Sequence, residues 1–465
     1  MAENEFDVVI VGSGPGGYVA AIKAGQMGMK TACVEVGELG GVCNNVGCIP
    51  TKAMLESAKH AHAIKNLADF GVTVGEVKLD IGVAAKRSKK VADLGARGIA
   101  YLFKKNGVEW VKGWGKLAGG GQVVVALNGG EERTLQAKNI VIATGSRAKD
   151  LPILRIDRDR VWSSDEAVFP KAAPASLAII GAGAVGMEFA DVYNSFGTKV
   201  TIIEAMERLL PLEDKDVSPV LEKVYKERGI EVLTSARLEK ADIRKDGVRL
   251  AIKLKDGNLK TIDSERVLVA VGRAPIIDDI GLDEAGVRVE RGFIVTDDNL
   301  QTNVPNIYAV GDVTKPPLLA HKASHEGITV IETIAGNPHH IDYRNIPAVT
   351  YCHPEVASVG LTEDAAEEQG FDVEIGVFPW SANGRARGSG ETDGFIKVIR
   401  EKRYSELIGA HIVGANASEL IGQFVVGRHL ETTVEEMTTA VYAHPTLSDS
   451  IPEAALAALG RPIHI

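Results

Sequence analysis

The sequence predicts an α/β protein built around two copies of one strand–turn–helix–strand unit. The first observation is internal repetition. Phe6 to Glu35 reads FDVVIVGSGPGGYVAAIKAGQMGMKTACVE, and Leu177 to Glu204 reads LAIIGAGAVGMEFADVYNSFGTKVTIIE. The second is the apolar run opening each copy, which is continuous rather than alternating, as suits a strand buried on both faces of a parallel sheet. The third is length. The chain has 465 residues, whereas single cores stop growing at roughly 250–300, and about 150 residues per domain suggests roughly three domains.

Each copy turns from strand to helix through G-x-G-x-x-G, at Gly12, Gly14 and Gly17 and again at Gly181, Gly183 and Gly186. The first glycine makes the tight turn, the second lets backbone approach a pyrophosphate, and the third lets helix and strand pack closely. A pyrophosphate is then expected at the helix N-terminus, where free N–H groups and the helix dipole favour negative charge. A second apolar strand closes each copy on an acid, Glu35 or Glu204, and each acid follows its first glycine by 23 residues. A carboxylate there suits a ribose diol and repels a 2′-phosphate, which favours NAD over NADP at the copy that holds nicotinamide. One glycine motif alone is weak evidence, since such a turn can be merely a turn. Two in register, each with strand, helix, strand and acid, predict two Rossmann-like domains and two dinucleotides.

Two later segments look like strands ending on nucleotide-facing loops, NIVIATGS at 139–146 and VLVAVGRAP at 267–275. They make Thr144, Gly145 and Gly272 candidate cofactor contacts. TNVPNIYAVGD at 302–312 ends in Gly311-Asp312, an acid placed to bind a further hydroxyl such as that of a flavin side chain. From Pro347 the composition turns richer in Thr, Ser and His. The expected division is therefore 1–150, 151–279, 280–347 and 348–465.

Glycine, at 50 residues against 18 prolines, belongs to turns, helix starts and ligand contacts rather than to a low-complexity repeat. A formal charge of −10 without a basic run gives no footprint for nucleic acid. No apolar stretch approaches the roughly 20 residues of a spanning helix, so no membrane partner is expected. The acidic start is unlike a signal or transit peptide, and a cytoplasmic protein is the expectation. Four cysteines make no secreted disulfide framework, and none stands at zinc-ligand spacing, so no metal is expected.

Two of the four, Cys43 and Cys48, lie in GGVCNNVGCIPTK at 40–52. Five helical steps rise about 7.5 Å, beyond the ~7 Å limit for bridged Cα atoms, so the chain must turn between them if they are to pair. Gly47 can supply a positive φ, and Pro50 fits the first turn of a helix through KAMLESAKHAHAIK. Cys48 then stands at or just before a helix N-terminus, where a thiolate is stabilised and the pKa falls. Two unpaired core cysteines are the plainer alternative; the glycine pair, the proline and the position after a dinucleotide motif argue against it. Cys33, inside TACVE, is expected to be a buried structural thiol. Cys352, before His353-Pro354, is expected to be a loop residue, with His353 structural.

The combination resembles the pyridine nucleotide–disulfide oxidoreductases over essentially the whole chain, and most closely the members that act on dihydrolipoamide. The resemblance rests on GSGPGGYVAA, GGVCNNVGCIPTK, ATGS, GAGAVGMEFA, VGRAP, NIYAVGD, LAHKASHEG and HPTLSDS. It implies FAD at Gly12, Gly14, Gly17 and Glu35, completed by Asp312 and Ala320, and NAD at the second copy with Glu204. It also implies a Cys43–Cys48 redox disulfide, with Cys43 exchanging with substrate and Cys48 next to the flavin. Lys52 would lie near the flavin and pair with Glu188, which two positions after Gly186 is expected on the first turn of its helix. His444 would be the base, supplied across a homodimer interface by a C-terminal α+β dimerisation domain.

Asp449 stands where the family usually has a glutamate to orient that histidine. One methylene shorter, it is expected to make a longer, water-mediated or backbone-compensated contact. The implied partners are lipoyl domains and the acyltransferase core of 2-oxoacid dehydrogenase complexes, or the lipoyl protein of glycine cleavage. The alternatives are an NAD(P)H-dependent reductase of another disulfide, as in glutathione reductase-like enzymes, and a non-catalytic nucleotide-binding scaffold. The intact set Cys43, Cys48, Lys52 and His444 argues against the scaffold.

Overall fold

A computed structural model describes residues 4–465. Its contacts divide the chain into two units, the first made of Met1–Ala53, Val83–Lys149 and Arg273–Ile341 and the second of Met54–Gly82, Asp150–Gly272 and Asp342–Ile465.

In the first unit, β1 (Glu5–Val11) is followed by α1 (Pro15–Gln26) and β2 (Thr31–Glu35). The continuous apolar run of β1 is explained by its neighbours, since it pairs in parallel with β2 on one side and with β5 (Glu132–Ile142) on the other. Val8, Val9 and Ile10 are wholly buried as a result. Between β2 and β3 (Val108–Gly119) the chain inserts α2 (Gly41–Asn45), α3 (Cys48–Ala63) and α4 (Ile81–Lys105). β3, β4 (Gln122–Leu127) and β5 then form an antiparallel meander that carries the chain back beside β1. A last parallel strand, Ile307–Ala309, joins β5 and delivers the Gly311-Asp312 turn.

The second unit repeats the plan. Its parallel sheet runs Glu231–Leu233, Lys199–Ile203, Ser176–Ile180, Arg266–Val269 and Val161–Trp162 in spatial order, again with an antiparallel meander, Arg237–Ser264. The same unit holds a five-stranded antiparallel sheet of residues 348–414, packed by the helices Ala417–His429 and Ser450–Ala458 around Phe378, Trp380, Phe424 and Ile451. Lys397 of that sheet is fully buried, and its Nζ donates to Asp214, Asp216 and Glu363 at 2.8, 2.7 and 2.6 Å. Among the described residues these three acids are the one cluster with metal-ligand spacing, and the ammonium occupies its centre. No helix among the described residues is long and apolar enough to cross a membrane.

Candidate active site

The first glycine cradle has the geometry its sequence requires. Gly12 lies at φ 102°, in the left-handed region, and a Cβ on Gly17 would overlap the Gly12 carbonyl oxygen. At Gly14, the residue before α1, a Cβ would meet nothing within 4 Å, and no side chain caps the helix. Glu35 closes the cradle: one carboxylate oxygen accepts from the Ser13 N–H at 2.9 Å and hydroxyl at 2.8 Å, the other from the Gly37 N–H at 2.8 Å. Cys33 is buried beneath, its thiol aimed at the Gly12 carbonyl.

The second cradle matches it position by position. Gly181 lies at φ 104°, a Cβ on Gly186 would overlap the Gly181 carbonyl, and Gly183 faces open space ahead of the uncapped helix Ala184–Ser195. Glu204 accepts from the N–H groups of Ala182 and Met206, both at 2.7 Å. Gly272 lies at φ 104° with nothing within 4 Å of a built Cβ. Glu188 is the fifth residue of its helix, so it stands on the second turn and not the first. Its buried carboxylate accepts from the Tyr351 N–H at 3.0 Å.

Asp312 belongs to a network whose members are remote in sequence. It accepts from the Ser146 hydroxyl at 2.5 Å, and Arg273 donates to that same hydroxyl at 2.7 Å. Thr144 donates to the Ile276 carbonyl at 2.6 Å, and Gly145 turns at φ 75°. The turn itself is held by Lys322 and Glu326, a fully buried ion pair on the helix Ala320–Ile334. Lys322 donates to the carbonyls of Gly311 and Lys315 and to the Thr314 hydroxyl, while Glu326 accepts from the Gly311 N–H at 2.7 Å. Burial holds the Lys322 ammonium below its ordinary pKa, with Glu326 opposing. Sequence reasoning misses both residues because a Lys and a Glu four apart on a helix ordinarily form an exposed pair. Ala320 opens that helix, whose start no side chain caps.

The redox segment lies in the first unit. Cys43 is in α2 and Cys48 is the first residue of α3, as the proline at position 50 requires. Both are thiols here, not a disulfide, and they are hydrogen-bonded to each other. The turn between them does not use a left-handed Gly47, which is absent from the positive-φ residues. A side chain there would crowd the Val42 carbonyl at 3.0 Å, so close packing is what requires glycine. The hydrogen bond to Cys48, then burial, push the Cys43 thiol well up, against the pull of Lys52. Cys43 is thereby held protonated, and Cys48 stands at the helix N-terminus.

His444, largely exposed in the second unit, bonds through Nδ1 to Asp449 Oδ2 at 2.8 Å. The expectation of a long or water-mediated contact is corrected: the shorter acid reaches directly. Asn383 makes this possible, its buried amide donating to Asp449 Oδ1 at 2.7 Å and to the Thr446 carbonyl at 3.0 Å. Cys352 is buried, its thiol donating to the Pro354 carbonyl, and the neighbouring His353 carbonyl accepts from Arg228.

Residues 6–327 match the family described as pyridine nucleotide-disulphide oxidoreductase, and residues 346–455 match that family's dimerisation domain. The chain belongs to the pyridine nucleotide-disulphide oxidoreductases. The dihydrolipoyl dehydrogenase of Zymomonas mobilis is 44% identical over 100% of both chains. That of Bacillus subtilis is 41% identical over 99% of both, and the mitochondrial enzyme of Pisum sativum 40% over 99% of this chain and 93% of its own. Among solved structures, LpdA of Mycobacterium tuberculosis superposes with a TM-score of 0.89 at 27% identity, covering 96% of this chain and 98% of its own. The HOCl-induced flavoprotein disulfide reductase RclA of Escherichia coli does so at 0.85 and 25%, with the same coverages.

This family implies FAD and NAD, and the residues present fit both. Each cradle leaves its second glycine open, its helix N–H groups uncapped and an acid at the position of a ribose diol. The cradle with the thiols would hold FAD, and the other NAD.

Proposed function

We propose that this chain oxidises dihydrolipoamide carried on lipoyl domains, with NAD+ as final electron acceptor. The carrying observation is the Cys43–Cys48 pair at the start of α3, in the same unit as the first cradle. FAD and NAD, when bound, supply the two-electron path from the dithiol to the final acceptor. The chain's own residues manage thiol–disulfide exchange. With Cys43 and Cys48 bridged, one substrate thiolate attacks Cys43 and Cys48 leaves as thiolate. The second substrate thiol then displaces Cys43, so that lipoamide forms as the enzyme disulfide becomes a dithiol; two electrons and two protons are transferred.

The attacking substrate thiol needs a base, and His444, with Nδ1 held by Asp449, presents Nε2 to take that proton and return it to Cys43, whose raised thiol leaves protonated. Across a homodimer it would serve the partner subunit's thiols. Lys52 and Glu188 are proposed to act as a pair beside the flavin. Four domains, 1–150, 151–279, 280–347 and 348–465, would carry these parts.

Glu204 supports NAD over NADP, since a second negative group beside its carboxylate would be repelled. Arg208, the nearest cation in sequence, instead faces Asp364 at 3.8 Å. This disfavours a glutathione reductase-like enzyme. The partners would be 2-oxoacid dehydrogenase complexes or the glycine cleavage lipoyl protein, in the cytoplasm. His444→Gln should slow dihydrolipoamide oxidation by about 10²–10⁴-fold, the usual worth of a positioned base, while NADH still reduces ferricyanide through the flavin. Equal losses in both assays would refute this assignment of the base.

A further inference from the structure

The two residues that follow Cys43 are both asparagines, and the dithiol chemistry does not use them. Asn44 is buried. Its amide donates to the Ala92 carbonyl of α4 at 3.1 Å and to the Asn45 side-chain oxygen at 3.0 Å. The Asn45 amide in turn lies within 3.1 Å of the carbonyls of Glu38, Leu39 and Gly41. The pair thus forms an amide relay from α4, through the peptide between the cysteines, to the backbone ahead of Cys43.

The surroundings are shaped for this relay. A Cβ on Gly95, in the interior of α4, would overlap the Asn44 side-chain oxygen, and one on Gly40 would come within 2.5 Å of the Asn44 Cβ. Glycine inside a helix costs about 1 kcal/mol against alanine, and here it admits a buried polar side chain whose donors are both satisfied. The same helix grips the Cys48 side of the motif, where the Ser88 hydroxyl donates to the Pro50 carbonyl at 2.7 Å and Arg87 to the Ala53 carbonyl at 2.9 Å. Helix α4 therefore holds both cysteine-bearing helices, α2 through Asn44 and α3 through Ser88 and Arg87.

We propose that Asn44, acting with Asn45, is a positioning residue that keeps the Cys43 and Cys48 sulfurs together in the dithiol and so sets the redox equilibrium of the pair. This rests on disulfide exchange at the same two cysteines. When a substrate dithiol reduces the bridge, two electrons enter, two S–H bonds form and the S–S bond breaks; the freed sulfurs then drift apart unless the backbone holds them. Holding them raises the effective concentration of one thiol at the other and favours the disulfide. Releasing the clamp favours the dithiol and makes the disulfide the stronger oxidant.

The test uses anaerobic holoenzyme, wild type, Asn44→Leu and Gly95→Ala, equilibrated in dihydrolipoamide–lipoamide mixtures of fixed ratio, then acid-quenched and alkylated. Mass spectrometry counts the free thiols at positions 43 and 48. Leucine keeps the branched shape without the amide, and Gly95→Ala displaces Asn44 from the opposite side. FAD content matching wild type certifies each fold, and either variant that meets it decides the question. Half-reduction should occur at a dihydrolipoamide-to-lipoamide ratio about tenfold lower than for wild type, equivalent to about 30 mV for a two-electron couple. An unmoved midpoint, with or without a lowered melting temperature, overturns the proposal. A wild-type enzyme whose two thiols never cycle would instead overturn the disulfide-exchange reading itself.

Discussion

The two dinucleotide cradles differ least at their glycines and most in the segment after the closing acid. Gly12 and Gly181 share a φ within 2° of each other, and Glu35 and Glu204 accept N–H groups from equivalent positions. After Glu204 the chain reaches the next sheet strand at Glu231, with one helix, Val217–Glu227, between. After Glu35 it instead makes α2, α3 and α4 before β3. The start of that insertion folds back on the cradle, with the Gly40 N–H donating to the Ser13 carbonyl at 3.0 Å. A Cβ on Gly41 would stand 2.7 Å from the Gly14 Cα. The first cradle is thus roofed by the segment that carries the thiols, and the second has no such insertion after Glu204. That difference suits a resident cofactor coupled to the disulfide in one copy and an exchangeable one in the other.

The largest effects should come from breaking each cradle in the same way. Gly17→Ala and Gly186→Ala introduce the same backbone overlap, worth about 1–3 kcal/mol as overpacking and so up to roughly 100-fold in affinity. Gly17→Ala should purify with little flavin and lose all activity. Gly186→Ala should keep its flavin colour and its bleaching by dihydrolipoamide, yet lose turnover with NAD+. The comparison breaks if both variants lose flavin, or if neither does.

A smaller effect separates the two acids. Glu204→Gln removes a charged acceptor, worth about 1.5–3 kcal/mol, so the KM for NAD+ should rise roughly tenfold or more while that for NADP+ changes less. Glu35→Gln should leave both nicotinamide KM values alone and lower flavin occupancy. Steady-state kinetics with each nucleotide, beside flavin absorbance of the purified protein, reads both outcomes.

Legibility in the sequence tracks the range of the forces involved. The cradles, the closing acids and the start of α3 at Cys48 depend on chemistry within a few residues: a φ that glycine accepts, a proline that opens a helix. The Asp312 network does not, since Ser146 lies 127 positions from Arg273 and 166 from Asp312. Lys322 and Glu326 have an ordinary surface spacing and are completely buried, because the turn they hold would otherwise leave backbone groups unsatisfied. Gly47 is legible as necessary but not in its reason, which is the nearness of the Val42 carbonyl. Glu188 sits a turn deeper because its helix already begins at Ala184, two residues ahead of Gly186. Asp449 reaches His444 directly because Asn383, 66 positions away, fixes its carboxylate, a contact no local pattern announces.

The smallest effect is the sharpest test of the roof. Ser13 occupies the position of Ala182, one residue past the first glycine, and its hydroxyl is the one polar group by which the turns differ there. It donates to Glu35 at 2.8 Å and accepts from the Gly40 N–H at 3.2 Å, joining the closing acid to the first residue of the redox segment's turn. Ser13→Ala makes the first cradle chemically like the second. Glu35 keeps two backbone donors and Gly40 keeps the Ser13 carbonyl, so no buried group is orphaned and the loss should stay near 1 kcal/mol. Flavin should dissociate about fivefold faster, read by fluorescence as free FAD appears, with the KM for NAD+ unchanged. Ala182→Ser, the reverse exchange, should leave both cofactors' affinities within twofold: Glu204 already has its two N–H donors, and no Gly40 waits on the other side of the new hydroxyl. If Ser13→Ala releases flavin no faster than wild type, the roof holds through backbone alone and the serine adds nothing to it.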